Sequence, residues 1–413
     1  MNPFELKPMN QDSKLFCDWS CLNSKPYDKE EVSPYTKLRI ILMNGTEYES
    51  VNFLHRFSRN CDNNDIRRQL ALARRGEQQQ QKRIANLKPL NENILEHTIG
   101  YEHLAVDLTA VLAQREKNGY VKQALDFALL EDFDHLYRYA DLLEMEQGVK
   151  AQKLVGEYVE IMPGRPTIAE HRHPYDSIRY HIDSKNSDML TVLNTMIITA
   201  AEQQTMNYYM NQGAFYEQST LGRQLYTEIA MIEEQHVTQY GSLMDTNCTW
   251  LENNLVHEYC EAYLYYSCFM DESDKNIKAM WEQLFEQEVA HLHMAAQMLK
   301  KYEKKEWQQI IPVGKFPELL SLHSCKDYVR QQLESVRLTA DRENYINVKE
   351  MPKDSDFFNY QNIVNPKTAN VASHKVIDEY IDKKGIDYRY QIAEHPVDAL
   401  RDRHKDNTTV GLN

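Results

Sequence analysis

Two copies of Glu-x-x-His, each midway along a stretch of helical apolar period, limit what this chain can become. The first is Glu233-Glu234-Gln235-His236, set among Leu225, Ile229, Ile232 and Tyr240; the second is Glu288-Val289-Ala290-His291, set among Trp281, Phe285 and Leu292. Residues three apart lie one turn apart on a single helix face, so each motif offers a carboxylate beside an imidazole. The motif alone carries little weight. With 15 histidines, roughly one copy arises by chance, and a third, Glu170 to His173, runs into Pro174 and reads as loop. The setting carries more. Glu202 precedes Glu233 by 31 residues, while Glu258 and Glu261 precede Glu288 by 30 and 27. Two helices of about 25 residues joined by a short loop bring positions about 30 apart to one height, at 1.5 Å rise per residue.

The same layout occurs once more. Glu102 stands 30 residues before Asp132 in Glu131-Asp132-Phe133-Asp134-His135, with Asp-x-x-His in place of Glu-x-x-His. We read this hairpin as a third copy of one unit. Only 13 Gly and 13 Pro in 413 residues favour helix over sheet, and the fold class expected is all-α. Residues 1–34 read as an arm and 35–88 as an N-terminal helical hairpin with a possible break at Asn44-Gly45. Residues 89–305 read as a helical bundle whose long connection, 149–186, crosses the domain. Residues 306–413 read as a helix and an extended tail, with one short helix near His374 to Lys383.

With these residues in view, 90–300 resembles the ferritin-like superfamily, the group holding rubrerythrins, manganese catalases and di-iron carboxylate oxidases. There, two helices supply Glu-x-x-His and two supply a lone Glu. The resemblance implies Glu202 as first-helix carboxylate, Glu233 and His236 as the second-helix pair, Glu261 as third-helix carboxylate, and Glu288 and His291 as the last pair. Topology offers a different set. Motif-bearing helices of such sites run antiparallel, which needs one long crossover. The 149–186 connection provides it, pairing Glu102, Asp132 and His135 with Glu202, Glu233 and His236. Motif quality favours the last two hairpins and topology the first two; both sets stand as expectations, with motif quality ranked first.

The resemblance also implies chemistry: two metal ions, iron or manganese, held by four carboxylates that offset their charge, with Glu233 and Glu288 as bridges. The function expected is an oxidoreductase acting on O₂, peroxide or a small-molecule substrate, with an electron donor that the sequence does not identify. A manganese catalase-like peroxide dismutase is the alternative within enzymes, and a non-catalytic metal-binding or structural helical protein the alternative outside them. The rubredoxin-type Cys-x-x-Cys module of rubrerythrin is missing, and the length departs from ferritin. A net charge of −15 argues against nucleic acid as a partner, and no apolar run approaches a membrane span. Seven cysteines without Cys-x-x-Cys fit a reducing cytoplasm. The tail suggests a homo-oligomer. Abundant tyrosines (Tyr208, Tyr209, Tyr226, Tyr240, Tyr263, Tyr265, Tyr266) are expected to pack the helices. His257 and His293 flank the ligands, and His171 and His173 belong to the connecting loop.

Overall fold

A computed structural model describes residues 1–9, 16–165 and 167–385 of the chain. It is all-α apart from one short β-hairpin among those residues. Eight long helices carry the fold: α1 (Pro34–Arg59), α2 (Asn64–Ala85), α3 (Ile94–Arg115), α4 (Gly119–Gln147), α5 (Met189–Phe215), α6 (Thr220–Leu243), α7 (Trp250–Asp271) and α8 (Lys275–Glu303).

Their ends follow from local chemistry. Asn63 and Asn118 accept hydrogen bonds from the first free N–H groups of α2 and α4. Asn93 with Glu96, and Thr249 with Glu252, close reciprocal capping boxes on α3 and α7, each worth about 1 kcal/mol. The cap of α8 is Asp274, whose side chain accepts from the N–H groups of Asn276 and Ile277. Gly148 ends α4 at φ 70°, the left-handed conformation that favours glycine. The possible break at Asn44-Gly45 does not occur. Gly45 is buried within a continuous α1, because packing outweighs the ~1 kcal/mol helix cost of a glycine.

The chain divides into two compact units, and the division is nested in sequence. Unit 1 comprises Met1–Glu92, Ile182–Ala201 and Met244–Leu322, and thus holds α1, α2, α7 and α8. Unit 2 comprises Asn93–His181, Glu202–Leu243 and the residues from His323 onward. It holds α3, α4, the C-terminal part of α5, and α6. In unit 1, α1 packs on α2 and α7, and α8 on α7 and α2; in unit 2, α4 packs on α3 and α6. The N-terminal hairpin expected over 35–88 is α1–α2, and it shares a unit with α7–α8.

The described part of the C-terminal region is more ordered in secondary structure than an extended tail. It contains α9 (Lys326–Gln332), the antiparallel strands β1 (Leu338–Asp341) and β2 (Asn344–Asn347), α10 (Asp356–Val364) and α11 (Ala372–Lys384). The last is the helix expected near His374 to Lys383, and it packs on α4 and α6. The rest of that tail, with Pro396, lies outside the described residues. No helix among the described residues is long and apolar enough to cross a membrane.

Candidate metal centres

In unit 2, α3, α4, α5 and α6 bring six sequence-predicted residues together: Glu102, Asp132, His135, Glu202, Glu233 and His236, all essentially excluded from solvent. Asp132, Glu202, Glu233 and His236 each present a ligand-type atom within 4.8 Å of the others; Glu102, His135 and Glu233 form a second such group, so Glu233 belongs to both. His236 Nδ1 lies 3.2 Å from Asp132, 3.2 Å from Glu233 and 3.6 Å from Glu202. His135 Nδ1 lies 3.0 Å from the other oxygen of Glu233.

Behind the imidazoles stands a second layer of carboxylates. His135 Nε2 is 3.0 Å from Glu170, and His236 Nε2 is 2.7 Å from Glu131. Glu131 also accepts from Arg172 Nη1 at 2.5 Å and Arg165 Nη1 at 3.0 Å. Glu170, Arg165 and Arg172 come from the connection between α4 and α5, including its single helical turn Thr167–Glu170. The sequence predicts a crossover here with Glu170 in a loop; the structure places Glu170 at the end of that helical turn, buried against His135. The close docking of this connection has a visible cause. A Cβ on Gly164 would meet the Leu130 carbonyl at 2.5 Å, so only glycine lets the loop reach α4, where Gly164 N–H donates to Asp134 at 2.8 Å and Arg165 N–H to Leu130 O at 3.0 Å. Below the cluster, Tyr209 donates to Glu102 at 2.5 Å, and the Tyr139 ring packs 5.3 Å from Tyr209 and 5.0 Å from Tyr226.

Burial pushes the carboxyls of Glu102, Asp132 and Glu202 up, and the other carboxylates around each add to the shift. Glu233 goes the other way: burial opposes ionisation, yet the two imidazoles facing it, His135 and His236, bring it to about 2. Glu131 is likewise held below the usual carboxylate range, where Arg172, His236 and Arg165 overcome its burial. Both imidazoles are pushed well above their ordinary value: burial disfavours their charge, but Glu170 and Glu233 around His135, and Asp132 and Glu131 around His236, more than reverse it. Glu102 Oε2, both oxygens of Asp132 and Glu202, Glu233 Oε2 and His236 Nδ1 have no hydrogen-bond partner. Buried polar atoms are nearly always satisfied, and this convergent set can hold a metal ion.

The remaining predicted residues, Glu261, Glu288 and His291, lie in unit 1. Glu288 and His291 of α8 form a group with Glu258 of α7 and Glu77 of α2. Glu261 is buried one turn along α7 but is not part of that group. His291 Nδ1 is 2.7 Å from Glu77, 3.4 Å from Glu288 and 4.0 Å from Glu258. Gln80 Nε2 donates to Glu288 Oε1 at 2.7 Å, and Tyr265 donates to Glu47 of α1. The flanking His257 stacks on Phe53 at 4.1 Å. It is kept neutral at about 3, first by burial and then by Arg56.

Sequence reasoning therefore missed Glu47, Glu77 and Gln80 in unit 1, and Glu131, Glu170, Arg165 and Arg172 in unit 2. A signal for the first set existed. Glu77 follows Glu47 by 30 residues, the interval from Glu102 to Asp132. A second interval also recurs: Tyr209 follows Glu202 by seven residues, and Tyr265 follows Glu258 by seven. The loop residues carried no such signal. Compared with family models, with curated proteins and with solved structures, the chain finds no match, so the buried Glu, Asp and His groups carry the functional argument alone.

Proposed function

We propose that unit 2 is a ferritin-like di-metal carboxylate protein and that its centre, built for iron or manganese, serves an oxidoreductase acting on O₂ or peroxide. The observation that carries the reading is the ligand set: two lone carboxylates (Glu102, Glu202), one Asp-x-x-His and one Glu-x-x-His, each on its own helix, with Glu233 common to two groups of ligand atoms. Four carboxylates balance two divalent ions, and mixed carboxylate and imidazole donors suit iron and manganese. When bound, such a pair supplies redox equivalents and open positions for an oxygen species.

The chain's own residues would do the rest. Glu233, reaching both imidazoles, would span the two positions. Glu131 and Glu170 fix the ring orientation of His236 and His135 through Nε2, leaving Nδ1 aimed at the centre. Each ring has to lose its Nδ1 proton before that nitrogen can ligate, so uptake releases protons and weakens as pH falls. Tyr139, Tyr209 and Tyr226, all fully buried, exclude water from the Glu102 side.

The test is metal content of the full chain, purified without chelator or reconstituted with ferrous iron or manganese(II), beside Glu233→Ala. Loss of about two ions per chain in the variant is expected; equal content in both proteins would overturn the reading. Turnover of peroxide without an external reductant would choose the dismutase form over the oxidase form.

A further inference from the structure

We infer that unit 1 is a second metal site, built for a single divalent ion, with Glu77, Glu258, Glu288 and His291 as its ligands. No residue is shared with the unit 2 centre, so the two readings stand or fall separately.

The two units repeat one register. Glu47 and Glu77 are spaced as Glu102 and Asp132 are, Glu258 and Tyr265 as Glu202 and Tyr209, and Glu288 and His291 as Glu233 and His236. The contacts repeat as well. The Nδ1 of His291 faces Glu77, Glu258 and Glu288, as that of His236 faces Asp132, Glu202 and Glu233. Tyr265 donates to Glu47 as Tyr209 does to Glu102. One position differs in kind. Gln80, three residues after Glu77, stands where His135 stands after Asp132, and its amide donates to Glu288 where His135 meets Glu233.

That exchange removes half of a two-ion site. A carboxamide is a neutral, weak donor, and its NH₂ points at Glu288 and occupies the oxygen that a second ion would need. The half containing His291 keeps three carboxylates and an imidazole. Among the described residues one ligand group is found in unit 1, against two overlapping groups in unit 2.

An independent observation points to a ligand. Both nitrogens of His291, both oxygens of Glu77, Glu258 Oε2 and Glu288 Oε2 have no hydrogen-bond partner, on side chains at most 2 % exposed. Among the described residues no Arg or Lys pairs with any of these carboxylates. The single imidazole of His291 faces all three carboxylates, too little charge to match three of them; burying such groups is costly, and one ion bound by them and His291 would offset that cost. One imidazole with three carboxylates suits manganese(II), iron(II) or zinc(II) over magnesium, which prefers oxygen donors and retained water.

Manganese(II) alone is the probe, with the full chain, counting bound ions by plasma mass spectrometry and reading their environment by electron paramagnetic resonance. Glu233→Ala/His135→Ala/His236→Ala, which removes ligands from both unit 2 groups, should retain about one manganese per chain with the six-line signal of an isolated ion. His291→Ala/Glu77→Ala should lose that ion and its signal while the unit 2 ions remain. Gln80→His, a gain-of-site variant that does not depend on surviving a deletion, should raise the count by about one and convert the six-line signal to that of a coupled pair. No manganese in the unit 2 knock-out, or a coupled pair there with Gln80 intact, would overturn the inference. A failed unit 2 centre beside an intact six-line signal would overturn the other proposal and leave this one standing.

Discussion

The two buried clusters place carboxylates and a histidine at the same helical positions, but they are supported in different ways. In unit 2 each imidazole is gripped from behind by a carboxylate, and Arg165 and Arg172 anchor Glu131 in turn. In unit 1 the far nitrogen of His291 has no partner, and Gln80 replaces the second imidazole. The bracing behind the rings traces to one segment: the connection between α4 and α5 lays Glu170, Arg165 and Arg172 against the unit 2 helices. The helices bring the ligands together, and this loop sets how firmly they are held.

The sharpest way to break this comparison is Arg172→Met. It would leave Glu131 buried with its charge only partly matched, and removing one partner of a buried ion pair costs about 3–5 kcal/mol. Denaturant unfolding of the metal-free chain should show a loss of that order. A loss below about 1 kcal/mol would mean that the arginines brace nothing. A smaller effect is expected from Glu131→Gln and Glu170→Gln, which keep shape and remove the charge behind each ring. Such outer partners are worth roughly 10–100-fold in metal affinity. Titration of both variants with manganese(II) should weaken uptake at unit 2 and leave the ion of unit 1 unchanged; equal weakening at both would erase the distinction.

The smallest effect concerns α11, which packs on α4 and α6. Its first N–H groups, on Ala372 and Ser373, donate to Glu228 at 2.6 and 3.2 Å. Although burial opposes ionisation, His171 and Ser373 bring Glu228 to about 2. A carboxylate whose folded value lies below its unfolded value stabilises the fold above the unfolded value, near 4.5, and loses that contribution as pH falls toward 2. Glu228→Gln should cost about 1–2 kcal/mol at neutral pH and flatten the acid limb of stability. An unchanged acid limb would show that α11 is held by its apolar face alone.

Much of this was legible in the sequence, and the reason is periodicity. Helices α3 to α8 announce themselves by apolar spacing. All nine candidate ligands are buried, and all but Glu261 fall in the two clusters, because a charged residue on an apolar helix face has nowhere else to point. The grouping was harder. Motif quality put Glu202 with Glu288, whereas the structure puts Glu202 with Glu102 and Glu288 with Glu77, as the long crossover suggested for unit 2. Motif strength measures single helices, while partner choice depends on direction and connection length. Glu77 escaped notice because Gln80 hides the motif and the surrounding charges resemble a solvated face. The roles of Glu170 and Arg172 were illegible, since an irregular loop has no period from which to read its direction.

The nested order of the hairpins has a consequence for how the chain reaches this state. The α3–α4 and α5–α6 hairpins meet across the segment from Gly148 to Asp188, whereas α1–α2 must find α7–α8 across everything from Asn86 to Thr249. That span is about four times longer, which adds about 1 kcal/mol of closure entropy if both are open chain and slows the search further. Closing the inner hairpins first replaces most of the outer loop with a folded body. Refolding should therefore run from the inside outward, with the amides of α3 to α6 protected from pulse-labelled exchange before those of α1 and α2. Until that last closure, Glu47 and Glu77 remain in water, and the outer site has no shape to offer an ion.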